Sequence, residues 1–265
     1  MTERITRHTP IRKLTQEEVQ EGLIFCLDKP LTWTSFNLVA KVKFPLQRRL
    51  RLKKLKVGHA GTLDPLASGV MLVCSGRATK QIEELQAGRK EYIATLRLGA
   101  TTPSFDLEHE IDATYPTEHI TRELVEEVLQ HFIGSIQQVP PAYSACKIGG
   151  KKAYDLARAG KEPELKAKTL TIDEIELLDY AMPHITLRVL CSKGTYIRAL
   201  ARDIGQALHS GAHLTALRRA QVGSVRAEDC LSIEAYQHWI DTALPRTDHP
   251  ETAESENKAD QDAAK

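Results

Sequence analysis

Apolar residues along the chain fall into short runs and alternations. Leu23 to Leu27 (LIFCL) is a continuous apolar run closed by Asp28-Lys29-Pro30, which predicts a strand buried on both faces, and Val70 to Cys74 (VMLVC) predicts another. Tyr92 to Leu98 alternates between apolar and polar, as does Ile185 to Cys191, so each predicts a strand with one wet face. Helical spacing links Leu124, Val125, Val128, Leu129, Phe132 and Ile133 between Thr121 and Gly134. A second helix follows Arg198, with Leu200, Ile204 and Leu208 on one face and Gly211 at its end.

Local punctuation fills in the rest. Thr15-Gln-Glu-Glu18 has capping-box spacing for a short helix that Gly22 ends. Trp33-Thr-Ser35 can cap a helix from Phe36, which Pro45 interrupts or restarts. Gly76 to Lys80 opens a short helix over Gln81 to Gln86. Strands and helices mix without regular βαβ alternation, so the expected class is α+β. No internal repeat is found.

With 265 residues, 42% hydrophobic and 27% charged, the chain is long enough for a sizeable core. Its five cysteines are scattered singly and read as reduced core residues rather than a disulfide or zinc framework. The N-terminus has no apolar signal core and Val70 to Cys74 is far too short to cross a bilayer, so a soluble cytoplasmic protein without membrane association is expected. Nothing demands an obligate protein partner, and a monomer is expected. Residues 1–21 read as a polar leader, residues 22–240 as the folded domain, and residues 241–265 as a disordered acidic tail.

Net charge is only +1, but its distribution is uneven. Lys41, Lys43, Arg48, Arg49, Arg51, Lys53, Lys54 and Lys56 form a run with no acid among them. Charge runs are usually solvated faces; one that leads directly into an unusual loop suits an approaching polyanion, and nucleic acid is the favoured reading. The loop, Gly58 to Gly69, reads GHAGTLDPLASG. Asp-Pro with nearby glycines is by itself a turn, because Pro fixes φ and glycine reaches conformations other residues avoid. No G-x-G-x-x-G follows a strand, SGRATK lacks the P-loop lysine, and no histidine pattern has metal-ligand spacing. Neither a metal nor a cofactor is called for.

Three stretches change the weight given to that turn: GLIFCLDKPLTWTS (22–35), GHAGTLDPLASGVMLVCSGRATK (58–80) and CSKGTYIRALARDIG (191–205). Together they resemble the TruB family of pseudouridine synthases, and KEYIATLRLGATT, VPPAYSACKIGGKKAYDLARAG and HLTALRR extend the likeness from Gly22 to about Ile233. The resemblance implies a pseudouridine synthase fold, a mixed, mainly antiparallel sheet flanked by helices and loops. The implied activity is isomerisation of uridine 55 in the tRNA T-loop without metal or cofactor, and the implied partner is the tRNA T-arm.

Residue by residue, the likeness makes Asp64 the catalytic carboxylate and Arg198 its arginine partner. Tyr92 would stack on the target base, and Tyr196 and Leu217 would line its pocket. His59 would fill the gap left by the flipped nucleotide. Residues 143–161 match a thumb-like insertion in which Lys147, Lys151 and Lys152 would meet phosphates, and Lys80 is either a phosphate contact or a structural ion pair. Thr32 stands where the family usually has glycine, so the local turn is expected to avoid a left-handed conformation. About thirty residues follow Ile233, too few for a further RNA-binding domain of the PUA type. Two other readings stand beside it: the catalytic subunit of a guide-RNA particle, which shares these motifs, and an RNA-binding module or tRNA-folding helper whose catalysis is incidental.

Overall fold

The computed structural model describes residues 2–144, 146–148, 151–159 and 165–244. In chain order the elements begin with β1 (Glu3–Ile5), α1 (Gln16–Glu21), β2 (Leu23–Lys29), α2 (Ser35–Arg49), β3 (Val57–His59), β4 (Ala67–Ser75), α3 (Ile82–Ala87) and β5 (Lys90–Leu98). The short pair β6 (Ala100–Thr101) and β7 (Ala113–Thr114) precedes α4 (Arg122–Gln130) and β8 (Gly134–Gln138). A small hairpin, β9 (Lys147–Ile148) and β10 (Lys151–Lys152), leads to α5 (Ala153–Arg158). The long strands β11 (Lys168–Ala181) and β12 (His184–Cys191) follow, then α6 (Ile197–Ala207), β13 (Ala212–Val222), β14 (Val225–Arg226) and α7 (Ile233–Ala243).

One sheet dominates, in the order β1-β2-β4-β13-β5-β12-β11-β8, with β3 on β4 and β14 on β13. Among its described strand pairs, β1/β2 and β4/β13 are parallel and the others antiparallel. This is the expected α+β class. The apolar runs of β2 and β4 are explained by burial on both faces. Leu23, Phe25, Leu27, Met71 and Val73 enter the main core, while Ile24, Cys26, Val70, Leu72 and Cys74 enter a smaller cluster with Val222, Val225 and Cys230. Phe25 meets Tyr236 and Trp239 of α7 edge-on, with ring centroids 5.6 and 5.7 Å apart. The alternating strand β5 buries Tyr92, Ala94, Leu96 and Leu98 on one side, as its pattern requires.

Several boundaries differ from the sequence reading. Helix α2 runs unbroken through Pro45, because Leu38, Val42 and Leu46 are fully buried on both sides of the proline and packing outweighs one lost backbone bond. The predicted helix from Thr121 stops at Gln130, leaving Ile133 exposed next to Gly134, whose φ is +95°. The leader is structured: β1 adds a strand to the sheet edge, and α1 has the predicted Thr15–Glu18 capping box. The boundary at residue 240 falls inside α7, and the tail from 245 lies outside the described residues.

Helix α7 continues past that boundary because Arg49 holds its end. The Arg49 guanidinium donates to the carbonyls of Ile240 (2.7 Å) and Leu244 (2.8 Å) and pairs with Asp241. Arg49 therefore belongs to the internal architecture rather than to an outward basic face. Arg48, Arg51, Lys53, Lys54 and Lys56 remain exposed.

Candidate active site

Asp64 lies on the loop that joins β3 to β4, and that loop is held at nearly every residue. Arg219, on β13 and 1% exposed, donates to the carbonyls of Gly61 (3.1 Å), Thr62 (3.3 Å) and Val70 (2.7 Å). Ser35 Oγ accepts from Leu63 N–H at 3.0 Å and donates to Leu63 C=O at 2.9 Å. Thr32 N–H donates to Pro65 C=O at 2.8 Å, and Ala67 N–H closes the Asp-Pro turn on Asp64 C=O at 3.1 Å. Thr34, with Asn37, caps α2 and leaves Ser35 to serve the loop.

Two backbone conformations are essential here. Gly69 has φ +109°, and a Cβ there would lie 2.2 Å from the carbonyl oxygen of Arg219 on the neighbouring strand. Thr32 has φ +69°, so it does adopt the left-handed conformation that the sequence argued against. Its bond to Pro65 and the fixed loop beyond outweigh a cost of roughly 1–2 kcal/mol for a side chain in that region.

The Asp64 carboxylate pairs with Arg198 Nε at 2.9 Å. Arg198 is no surface charge: its side chain is 5% exposed, at the start of α6, and its other nitrogens donate to Ser104 C=O (3.2 Å) and Tyr143 C=O (2.8 Å). A second carboxylate, Asp106, stands 3.7 Å from the same Nε, on a loop whose Phe105 has φ +61°. Asp64 keeps 39% side-chain exposure through the cleft mouth while protein encloses its other sides. That enclosure pushes its carboxyl above the usual aspartate value; Arg198 pulls it back down and Asp106 adds to the rise.

The cleft over Asp64 has a volume of about 590 Å³. Tyr92, Tyr196, Arg198 and Leu217 line it, so four predicted residues converge with Asp64 on one cavity. Tyr92 is 8% exposed, and burial raises its phenol above the ordinary value, with Arg219 opposing. Gln138, 1% exposed, brackets Tyr196 by accepting from its N–H (2.9 Å) and donating to its C=O (3.2 Å). A smaller apolar pocket adjoins Asp64 on its other side, lined by Leu31, Leu66, Leu107, Leu214 and Leu217.

Other predicted residues lie apart. His59 ends β3 and does not line the cleft; its ring is half-buried, its Nδ1 has no hydrogen-bond partner, and burial lowers its basicity. Lys80 is exposed in the turn of 3-10 helix from Gly76 to Gln81, also off the cleft. Lys147, Lys151 and Lys152 fall on the β9/β10 hairpin, but their side chains, like parts of the 143–161 segment, lie outside what is described.

Sequence reasoning missed Asp106, Ser35, Arg219 and Gln138, and three cleft lysines. Lys168 and Lys193 are exposed at the rim, and Lys90 is buried, donates to Gln86 and Gly88 carbonyls, and is pulled down to about 8 by burial. Arg219 and Lys193 stood inside quoted motifs, yet nothing in their spacing distinguishes a loop clamp or rim cation from a surface charge.

Comparison with known proteins extends the geometry. A crystal structure of a Cbf5-Nop10-Gar1 complex superposes with a TM-score of 0.62 at 30% identity, covering 87% of this chain and 58% of that chain. An H/ACA RNP bound to a substrate RNA containing 2′-deoxyuridine gives 0.58 at 28% identity, covering 87% and 60%. The chain thus spans less than two thirds of those proteins, and the fold they share with it is that of a pseudouridine synthase.

The finer assignment comes from sequence. The TruB family pseudouridylate synthase N-terminal domain matches residues 48–197, and the tRNA pseudouridylate synthase B C-terminal domain matches residues 198–247. Proteins named tRNA pseudouridine synthase B from Phocaeicola vulgatus and Bacteroides thetaiotaomicron are 69% and 66% identical, each over 84% of this chain and 94% of their own length. The one from Flavobacterium johnsoniae is 50% identical over 86% of this chain and all of its own. The chain belongs to the TruB family of pseudouridine synthases.

Proposed function

We propose that the tRNA uridine this chain isomerises to pseudouridine is uridine 55 of the T-loop, and that Asp64 is the catalytic carboxylate. The reaction breaks the bond from C1′ to N1 and forms one from C1′ to C5; C5 gives up its hydrogen as a proton and N1 takes a proton up, with no net redox change. An ionised carboxylate serves whether it attacks the sugar, adds to the base or assists loss of a ribose proton. The observation that carries the reading is the 2.9 Å pair of Asp64 with a buried Arg198 at the base of a cleft lined by Tyr92 and Leu217.

The chain's own residues divide the work. Arg198 keeps Asp64 ionised and aimed, and Asp106 and two carbonyls keep Arg198 from turning away. Tyr92 offers a flat face to the extruded base and a hydroxyl for proton handling at C5, and Tyr196 and Leu217 close the slot around the nucleotide. His59, an uncharged ring at the edge of the same loop, would occupy the vacancy in the RNA. Exposed Lys168 and Lys193 at the rim suit phosphate contact.

The test is Asp64→Asn with unmodified tRNA. Binding is expected to persist while pseudouridine, mapped by chemical labelling, disappears; appreciable product from this variant contradicts the assignment. The position mapped with the wild-type chain decides the T-loop assignment independently.

A further inference from the structure

Helix α2 presents an outward face that the catalytic cleft does not use. Phe36 is 75% exposed and Phe44 58% exposed, two of the most exposed large apolar side chains among the described residues. Positions 36, 40 and 44 follow i, i+4 spacing, so the rings share one face, about 12 Å apart along the axis. Leu38, Val42 and Leu46 lie on the opposite face, fully buried. Beside Phe44 a shallow groove is lined by Thr32, Trp33, Asn37, Ala40, Lys41 and Pro45.

Charge distinguishes this face from an ordinary apolar patch. From Ser35 to Arg49 there is no acid, and Lys41, Lys43 and Arg48 flank the rings. Glu234, at the start of α7, is an acid close enough to Lys41 to feel its charge. The N-terminal end of this helix is tied to the active-site loop: Ser35, next to Phe36, bonds Leu63, and Thr32 bonds Pro65 on either side of Asp64. Leu31, 55% exposed, lines the pocket beside Asp64. Aromatic rings among cations suit unpaired nucleobases and their phosphates, because every base offers a π-face whatever its sequence.

We propose that the outward face of α2 is a stacking platform on which Phe36 and Phe44 take unpaired bases of the substrate tRNA outside the catalytic cleft, while Lys41, Lys43 and Arg48 meet its phosphates. The proposal rests on the tRNA reading and adds a second contact surface to it. It accounts for two exposed phenylalanines that neither the core nor the catalytic slot uses.

The test measures Kd in an Asp64→Asn background and single-turnover rate in the Asp64 form, using unmodified full-length tRNA and a T-arm hairpin. Phe36→Ala and Phe44→Ala are each expected to raise Kd about fivefold. Phe44→Tyr should stay within about twofold and Phe44→Leu should lose as much as alanine, since stacking needs the ring. The expected loss sits in Kd, with little change in rate at saturating enzyme. Equal losses on both RNAs place the bases in the T-arm, and a loss confined to full-length tRNA places them elsewhere in it; both support the platform.

Unchanged Kd in both alanine variants overturns it. So does full affinity in Phe44→Leu, which would show that no base stacks on that ring, and so does a saturated rate that falls with affinity. A wild-type chain that makes no pseudouridine sinks the functional reading separately, because the platform is scored by binding alone.

Discussion

Ser35→Ala tests whether the catalytic loop is held from outside itself. Ser35 is 6% exposed, and its hydroxyl makes both hydrogen bonds available to the backbone of Leu63, at 3.0 and 2.9 Å, while Leu63 itself is 5% exposed. Alanine removes both bonds and leaves a buried N–H and C=O unpaired. At about 1 kcal/mol net for each bond plus the desolvation of the orphaned groups, the expected destabilisation is about 2–3 kcal/mol. Against a total of roughly 5–15 kcal/mol, that lowers the urea midpoint by about 1 M. Leu63 immediately precedes Asp64, and a displacement near 1 Å at a reacting group costs on the order of a hundredfold in rate. Release of tritium from C5-labelled uridine in tRNA follows the isomerisation, and kcat/KM is expected to fall by about 10- to 100-fold with tRNA affinity retained. A urea midpoint and a rate both indistinguishable from wild type would refute the reasoning and leave the loop to Arg219 and Thr32.

Other outcomes follow from the same geometry. Thr32→Gly should stabilise the chain by about 0.5–1 kcal/mol in urea unfolding, because the strain of a left-handed threonine exceeds the added freedom of glycine in the unfolded state; a loss of stability would show that the threonine side chain contributes more than its backbone costs. Arg219→Lys keeps the charge but cannot reach Gly61, Thr62 and Val70 together, and should cost about 2–4 kcal/mol in thermal or urea unfolding. Because burial raises the Asp64 carboxyl above its ordinary 3.8 in the free protein, the acid limb of kcat/KM should lie above that pH. The linkage runs the same way: a carboxyl raised in the native state favours the protonated fold, so Asp64's contribution to stability is largest below 3.8 and declines as pH rises through the raised value. An acid limb at or below 3.8 would mean that Arg198 outweighs burial.

Much of the site was legible because its chemistry is local. GTLDP must turn, CSKGTYIR must pass from strand to helix, and KEYIATLRL must alternate, so Asp64, Arg198 and Tyr92 could be placed on elements from the residues alone. Their roles came from the family resemblance, and the structure adds that Tyr196 and Leu217 share one cleft with them. Asp106 was not legible, since an acid in a loop has no pattern of its own until Arg198 arrives from 92 residues further along. Arg49 was misread for the corresponding reason: among eight cations in one run, only contact with the end of α7 separates an internal cap from an outward charge. Pro45 and Thr32 went against local rules because partners distant in sequence outweighed costs of a few kcal/mol.

By itself the sequence determined the period of β5, β12, α4 and α6, the double burial of β2 and β4, the turn at Asp64 and the family, because hydrophobic spacing and turn chemistry act over a few residues. Tertiary structure alone decided which carboxylate faces which guanidinium, which serine and arginine fix the loop, and which phenylalanines stay in water. Those are outcomes of packing between segments far apart in the chain, where a residue's surroundings, rather than its neighbours in sequence, set its energy.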